Sequence, residues 1–469
     1  MALAKQTSGA KAQFFYLLLT ARLKACPTVR AILDVRGRGN CYSPHVDSPA
    51  QRSGGGASVA GATMALVLLT AMNFVNYLDR YILPAVQEQV KGEFRLTDSQ
   101  IGSLTFWFML AYVLSSPLTG WLGDRFPRKP MIVVSALVIA AMNFFTASVH
   151  NYGSLNVRHA ALGIGEAAFG IFAPALLADF FSEEQRNKVL TIFNMALPFG
   201  AACSYEGGAW VAEHHGWRMS FIASAIPGAV VGLLIWMLMR EPARTGSVAK
   251  ADVGKATVLS LLKNKAYLSS IMGYAMVTFS LGGISWWMPS FLQREAGYSM
   301  QAAGGVMGPI IVIAGLGGTA LGGWLAQWWS KRTEKALYYV PALGSLLAVP
   351  PALICFFGPP HLLVPSLYAA VFLIFLGTGP INAAALNAVP PNLRATAMAG
   401  QLFAIHVFGD AFSPKLIGMV SDHSNLRYGL GLTLITFVVA GIIFYVGARY
   451  APKLHTSVEP ASLDPMSAA

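Results

Sequence analysis

Charge is what this sequence lacks. Only 12% of its 469 residues are Asp, Glu, Lys or Arg, about half the share of a soluble globular domain. Acids are scarcer than bases, 21 against 33. The four cysteines, Cys26, Cys41, Cys203 and Cys355, show no paired spacing, which argues against a disulfide framework or a metal ligand set. His214 and His215 are adjacent and so do not share a helix face. No His-Glu-x-x-His sequence occurs, and no nucleophile–base pair falls in the apolar segments, so an intramembrane enzyme is disfavoured. What is there instead is apolar: 55% of residues are hydrophobic and the mean hydropathy is +0.54. This is the composition of a polytopic membrane protein.

Twelve apolar runs are long enough to cross a bilayer as helices. They fall at about 63–87, 100–122, 130–149, 154–180, 188–211, 218–239, 266–292, 300–329, 336–357, 363–387, 395–420 and 428–449. The expected fold is therefore an all-α membrane protein of twelve helices in two six-helix halves. Thr97-Asp98-Ser99-Gln100 opens the second run as a capping box. Residues 1–62 hold eight Lys/Arg and a Gly-rich tract at 54–56, and they read as a disordered cytoplasmic N-terminal extension or as sequence ahead of a start at Met64. Residues 240–265 form the longest loop, a linker whose end, 256–262, suits a short interfacial helix. Residues 451–469 form a tail. The halves are then 63–239 and 266–450.

With the N-terminus inside, the cytoplasmic segments carry 25 of the 33 Lys/Arg and the outer loops five. That asymmetry satisfies the positive-inside rule and places both termini in the cytoplasm of an inner or plasma membrane. The basic balance is thus topological, and no nucleic-acid partner is implied.

The halves repeat. Gly120-Trp121-Leu122-Gly123-Asp124-Arg125-Phe126-Pro127-Arg128-Lys129 closes the second run, and Gly323-Trp324-Leu325-Ala326-Gln327 begins a similar close of the eighth, 203 residues on. Leu162-Gly163-Ile164-Gly165 recurs as Leu376-Gly377-Thr378-Gly379, and Arg186 has a counterpart in Arg394. Parallel six-span repeats with a site between them are transporter architecture. In the first copy, Gly120 permits close helix approach. Asp124 is placed to pair with nearby arginines or a helix N-terminus, and Arg125, Arg128 and Lys129 stay on the cytoplasmic side. In the second copy Gln327 replaces the acid.

The first run carries Asn76-Tyr77-Leu78-Asp79-Arg80 near its middle. Each such charge costs about 2.5–3.5 kcal/mol on insertion scales, so none can face lipid. The helical period puts Asn73, Asn76, Tyr77 and Arg80 on one face, with Asp79 beside it. Glu166, in the fourth run, is the acid placed to answer them. A static pair bracing two helices and a proton or substrate site both fit; intramembrane acids default to the second. His406 and Asp410, four apart in the eleventh run, share a face. They read either as a brace or as cavity-lining groups. Glu206 and Lys415 sit near outer ends, where long side chains reach water.

The 120–129 stretch resembles the loop signature of the major facilitator superfamily, over a chain similarity covering about residues 63–450. Three motifs resemble the Spinster branch: 76–80; Gly163-Ile164-Gly165-Glu166-Ala167 with Ala173-Pro174-Ala175-Leu176-Leu177-Ala178-Asp179; and His406-Val407-Phe408-Gly409-Asp410 with Ser413-Pro414. The branch pattern has an arginine where His159 stands here, with Arg158 one position early. Glu206 and Lys415 also depart from it. The resemblance implies a proton-linked carrier of sphingosine-1-phosphate or lysophospholipids, with no cofactor, working as a monomer in the lipid bilayer. On this reading Asp79 and Glu166 carry the proton; adding one proton to the cluster with Arg80 makes it neutral. Arg80, Asn76, Tyr77, His406 and Asp410 meet a small amphipathic substrate, and Gly120, Asp124, Arg125, Arg128 and Lys129 gate. Phe74, Phe106, Trp107, Phe169, Trp286 and Phe403 are expected in the cavity wall. A drug or organic-anion carrier is the alternative within transporters, and a non-transporting receptor or scaffold the alternative outside them.

Overall fold

In the computed structural model of the chain, the described residues are 59–242, 260–390 and 393–452, without the side chains of Val59, Asp124, Glu183 and Ala395. Most of the expected extension, linker and tail therefore lies outside the described residues. Of the interfacial helix expected at 256–262, the described residues 260–262 are helical.

No strand occurs among the described residues; the elements are helices throughout. α1 is Val59–Phe94, α2 Asp98–Arg125, α3 Arg128–Thr146 and α4 Tyr152–Phe180. α5 is a composite over 183–215, and α6 is Trp217–Leu238. α7 is Lys265–Ala296, α8 Met300–Ser330, α9 Ala336–Phe357 and α10 Pro360–Asn387. α11 is a composite over 394–423, and α12 is Leu426–Gly447. Ten of these are long and apolar enough to cross a membrane. α5 and α11 fall short of that measure because each is broken and carries charge, Glu206 in the one and Asp410 and Lys415 in the other. The expected span 63–87 is longer in fact. α1 runs 36 residues, about 54 Å at 1.5 Å per residue, so it clears a hydrocarbon core of about 30 Å and carries Glu88, Lys91 and Glu93 beyond it.

Three helices contain a π turn among the described residues: α5 at Ser204–Gly208, α8 at Ile310–Gly315 and α11 at Ile405–Asp410. α10 breaks at Leu376-Gly377. Pro380 has no N–H to give to the carbonyl four residues back, and Gly377 N–H turns to Ile374 O at 3.3 Å instead. Its sequence counterpart in α4, Leu162–Gly165, has no proline at that spacing and the helix runs on. The two copies of the repeat therefore differ in backbone as well as in charge.

α2 packs along α4, α3 along α4 and α6, and α1 along α6 and α5. In the other half α7 and α9 pack along α12, and α9 along α10. The halves meet chiefly where α2 crosses α11 and where α5 crosses α8. Lipid tails are as apolar as leucine, so buried apolar area alone does not join helices in a bilayer; close backbone approach and hydrogen bonds do. Both are present. A Cβ on Gly102 of α2 would collide with the Pro414 carbonyl of α11, and one on Gly304 of α8 with the Tyr205 carbonyl of α5.

All hydrogen bonds and ion pairs between the halves, among the described residues, lie at one end. Arg294 of α7 holds Glu88 of α1 through Nε and Nη2 (2.9 and 2.6 Å) and Asp98 of α2 through Nη1 and Nη2 (2.8 and 2.9 Å). Asp98 also pairs with Lys91 and accepts from Ser421 Oγ at 2.6 Å. Asp422 of α11 accepts from the backbone N–H of Asp98 and Ser99 (2.7 and 2.9 Å), an acid capping a helix start in the other half. The Thr97–Gln100 capping box is formed beside it. Gln87 donates to Trp286 O (2.8 Å) and Ser290 Oγ (2.7 Å), Tyr205 Oη to Ser285 O, and Gln301 N–H to Glu213 (2.7 Å). An apolar cluster with Val86, Leu96, Trp287, Phe291 and Met300 fills the same end.

Arg294→Ala removes the group that ties two acids of one half to the other. Charge-assisted hydrogen bonds are worth about 1.5–3 kcal/mol each, so the population with this end closed should fall about tenfold or more. Spin-label distances between the start of α2 and the end of α11 check this: a longer-distance population should grow in the variant.

Candidate functional site

Below the closed end the halves enclose a cavity of about 510 Å³. Its centre is the pair Arg80–Glu166. Glu166 Oε2 accepts from Arg80 Nε at 2.7 Å and Nη2 at 2.6 Å; the acid side chain is 0% exposed and the base 19%. A carboxylate that reaches a guanidinium through two nitrogens makes a strong, oriented contact. The rings of Phe108, Tyr77 and Tyr112 surround the guanidinium, with centroids 5.2–5.6 Å from its carbon, within cation–π range. Three buried oxygens on this wall, Glu166 Oε1, Asn76 Oδ1 and Thr105 Oγ1, have no hydrogen-bond partner in the structure.

Asn73, Asn76, Tyr77 and Arg80 all line this cavity. Asn73 also donates to Phe193 O at 2.9 Å, which ties α5 to α1. From the other half come His406 and Asp410. His406 Nδ1 lies 3.2 and 3.1 Å from the two Asp410 oxygens, and both residues belong to the α11 π turn. They are therefore a bonded pair that also faces the cavity, so the brace and the lining role coexist. Among the described residues, Arg80 is the one Lys or Arg on the wall; His159 and His406 are the other basic side chains there.

Asp79 is placed otherwise. It is buried but absent from the cavity wall. Its carboxyl turns toward Ser224 of α6 and Asn143 of α3, yet neither oxygen makes a hydrogen bond of good geometry. A one-residue step from Arg80 rotates the side chain by about 100°, enough to leave the cavity for the seam between α1, α3 and α6. The charged cluster expected of Asp79, Glu166 and Arg80 is thus split into a wall-lining pair and a separate buried acid.

The expected aromatic wall needs correction too. Of the six aromatics named for it, only Trp286 is on the wall. Trp107 and Phe403 are exposed on the outside of the bundle, and Phe169 is buried inside the first half. Phe106 stacks near Phe412 and Lys415 instead (5.1 and 5.0 Å). The wall is built by Tyr77, Tyr81, Phe108, Tyr112, Phe193 and Phe375. Tyr112, missed by the sequence reading, touches both charged pairs: its ring is 5.6 Å from the Arg80 guanidinium and 5.5 Å from the His406 ring. Its spacing of four from Phe108 was the available signal. His159 is buried, with Phe108 and Trp286 rings at 5.1 and 6.3 Å.

At the other end of the first half, the basic loop is anchored locally. Arg128 pairs with Asp179 and donates to Ala175 O (3.0 Å), while the Glu241 carboxylate caps α3 by accepting from the N–H of Arg128 and Lys129 (2.6 and 3.2 Å). Arg125 lies 3.9 Å over Trp121, and Lys129 5.3 Å from Trp236. Gly120 faces open space. The Asp124 side chain is outside the described residues. Asp179 and Glu241 are acid partners of this loop beyond those the sequence pointed to; Asp179 was visible as the last residue of its motif.

Two helical halves around a central cavity with a buried ion pair define a secondary transporter. The chain belongs to the Major Facilitator Superfamily, whose sequence profile matches residues 69–409. It is an integral, multi-pass membrane transporter and not an enzyme. Within the superfamily it is similar to the Spinster branch. It is 29% identical over 378 residues to protein spinster of Drosophila melanogaster, covering 76% of this chain and 61% of that longer one. It is 27% identical over 426 residues to the sphingosine-1-phosphate transporter SPNS2 of Xenopus tropicalis, covering 84% and 82%. Its fold is also that of a solved bacterial homolog to the human lysosomal transporter, Spinster, in an inward-facing and unoccupied conformation: TM-score 0.76, 21% identity, 84% of this chain and 98% of that one.

Arg80→Ala leaves Glu166 charged and unpartnered in the protein interior. Breaking a buried pair costs about 3–5 kcal/mol, whereas removing both charges costs far less. The thermal midpoint in detergent should drop in Arg80→Ala and recover in part in Arg80→Ala/Glu166→Gln. A double variant less stable than the single one would mean that the pair is not the constraint.

Proposed function

We propose that this transporter works by alternating access, coupled to protons, and moves a single-chain amphipathic anion of the lysophospholipid or sphingoid-phosphate type. One observation carries the reading. The only guanidinium on the cavity wall among the described residues is already held by an acid, Glu166, on a wall that is otherwise largely apolar. An anionic head group competes with Glu166 for Arg80. Once displaced, the Glu166 carboxylate is a bare charge in a water-poor site, and a proton neutralises it. Proton uptake and head-group binding are then linked through one arginine. Asp79, buried among Ser224 and Asn143, is a second place where one proton removes an isolated charge.

The tail has its own wall. Leu281, Ile284, Met307, Ile310, Val371 and Phe375 line the cavity from α7, α8 and α10, opposite the polar face of α1. A small polar anion calls for several donors around it; one arginine with an apolar wall suits one head and one tail. Asn76, Tyr77, His406 and Asp410 complete the head-group surroundings. The similarity to the Xenopus sphingosine-1-phosphate transporter supports this substrate class. The positive-inside count puts the closed end outside and the loop 126–128 in the cytoplasm, so the described state is the one open inward. Arg125, Arg128 and Lys129 would close the inner end in the alternate state, with Gly120 allowing approach and Asp124 as their acid partner. The protein acts as a monomer, without a cofactor.

Two outcomes test the reading in proteoliposomes. Glu166→Gln and Asp79→Asn keep shape and remove a titrating charge, so uptake driven by an imposed pH gradient should fall to the undriven rate; both variants responding like wild type would refute the coupling.

Affinity should rise with acyl length, each buried CH₂ adding about 0.8 kcal/mol, and should fall at least tenfold in Arg80→Ala. Binding that ignores chain length would point to a drug or organic-anion carrier, and binding without transport to a receptor or scaffold.

A further inference from the structure

A second cavity, of about 630 Å³, lies between the ends of α8, α9, α10 and α11 far from the closed end. It occupies the second-half counterpart of the place that Arg128, Asp179 and Glu241 fill in the first half. The filling differs because the residues differ: Gln327 stands where the first copy has an acid. Arg394 and Glu334 both line the cavity, but among the described residues neither makes an ion pair or a side-chain hydrogen bond, with each other or with anything else. The Gln327, Ser330 and Asn387 side chains line it too and make no side-chain hydrogen bond among the described residues; Arg394, Gln327 and Asn387 are exposed at its mouth. The rest of the wall is apolar, with Ala326, Leu337, Pro380 and Ala383.

The depth of this cavity is marked by tryptophan. Trp324 and Trp328 are 59% and 43% exposed on the outside of the bundle. They stack with centroids 6.4 Å apart and planes 13° apart, and the Arg332 guanidinium lies 4.7 Å over Trp328. Exposed tryptophans with a neighbouring arginine belong at the head-group level of a bilayer. Trp328 adjoins Gln327 and lies two residues before Ser330, both of them wall residues, so the cavity opens at the same depth. Lys331, Arg332 and Lys335 are exposed at the end of α8 and the start of α9, a rim that favours anionic groups.

We infer that this cavity binds the head group of a membrane phospholipid that carries both a phosphate and a primary ammonium. Arg394, with the amides of Gln327 and Asn387, takes the phosphate; Glu334 takes the ammonium; the apolar wall takes the start of the acyl chains. A zwitterionic head group answers both Arg394 and Glu334, whereas a simple anion answers only Arg394. The ligand is a resident lipid of the second half, distinct from the transported substrate in the central cavity.

The test uses the full-length protein, delipidated in detergent and titrated with phosphatidylethanolamine, phosphatidylglycerol or phosphatidylcholine, with bound lipids counted by native mass spectrometry. One phosphatidylethanolamine should bind at least tenfold tighter than phosphatidylcholine, whose quaternary ammonium has no N–H for Glu334. Arg394→Ala should weaken phosphatidylethanolamine and phosphatidylglycerol alike, and Glu334→Gln the first only. Ala383→Trp, which fills the space without touching a charge, should abolish the bound lipid, while Arg80→Ala should leave it in place. Equal binding of all three lipids, or phosphatidylethanolamine binding unchanged in Glu334→Gln and Ala383→Trp, would overturn the assignment. Loss of the lipid in Arg80→Ala would place it in the central cavity instead, and displacement by inorganic phosphate would make it a free-anion site.

Discussion

A charge inside an apolar helix has to be answered from another helix, and the structure is arranged around one such answer. Arg80 cannot face lipid, so α1 is turned to present it inward, and α4 brings Glu166 to it at 2.6 Å. That contact sets the rotation of both helices. It places Asn73, Asn76 and Tyr77 on the cavity side and gathers Phe108 and Tyr112 of α2 around the guanidinium. Among the described residues it also leaves the cavity with one guanidinium, already held by Glu166. The pair is therefore the joint between α1 and α4 and, in the function proposed above, the group at which substrate and proton compete.

The joint between the halves follows a different rule. Without a hydrophobic force between helices in lipid, the halves hold where backbones touch and polar groups meet. Gly102 against Pro414 and Gly304 against Tyr205 bring the backbones together, and Arg294, Asp98, Asp422 and Gln87 supply the polar contacts. All of these act at one end. A structure so closed can rock open by giving up a small, localised set of bonds while each half keeps its own packing.

The repeat shows how duplicated sequence diverges into different work. In the first half an arginine, two acids and a helix start are mutually satisfied. In the second, Gln327, Glu334 and Arg394 leave a cavity. A break at Leu376-Gly377, imposed by Pro380, has no counterpart at Leu162-Gly163. Similar motifs thus mark similar places in the fold without guaranteeing the same contacts.

The sequence by itself determined which segments are apolar helices, where the basic loops fall, that the halves repeat, and that residues 73–80 carry a polar stripe. Composition and the 3.6-residue period are local properties and survive without knowledge of neighbours. The period relates residues of one helix to each other, but it says nothing of how that helix is rotated against the next. So the tertiary structure alone decided that Asp79 leaves the cavity for Asn143 and Ser224, and that Trp107 and Phe403 point outward. It alone put Tyr112 between the two charged pairs, assigned Asp179 and Glu241 to the basic loop, and closed the halves at the Arg294 end. Each of these is a choice among helix faces, made by packing between residues dozens to hundreds of positions apart.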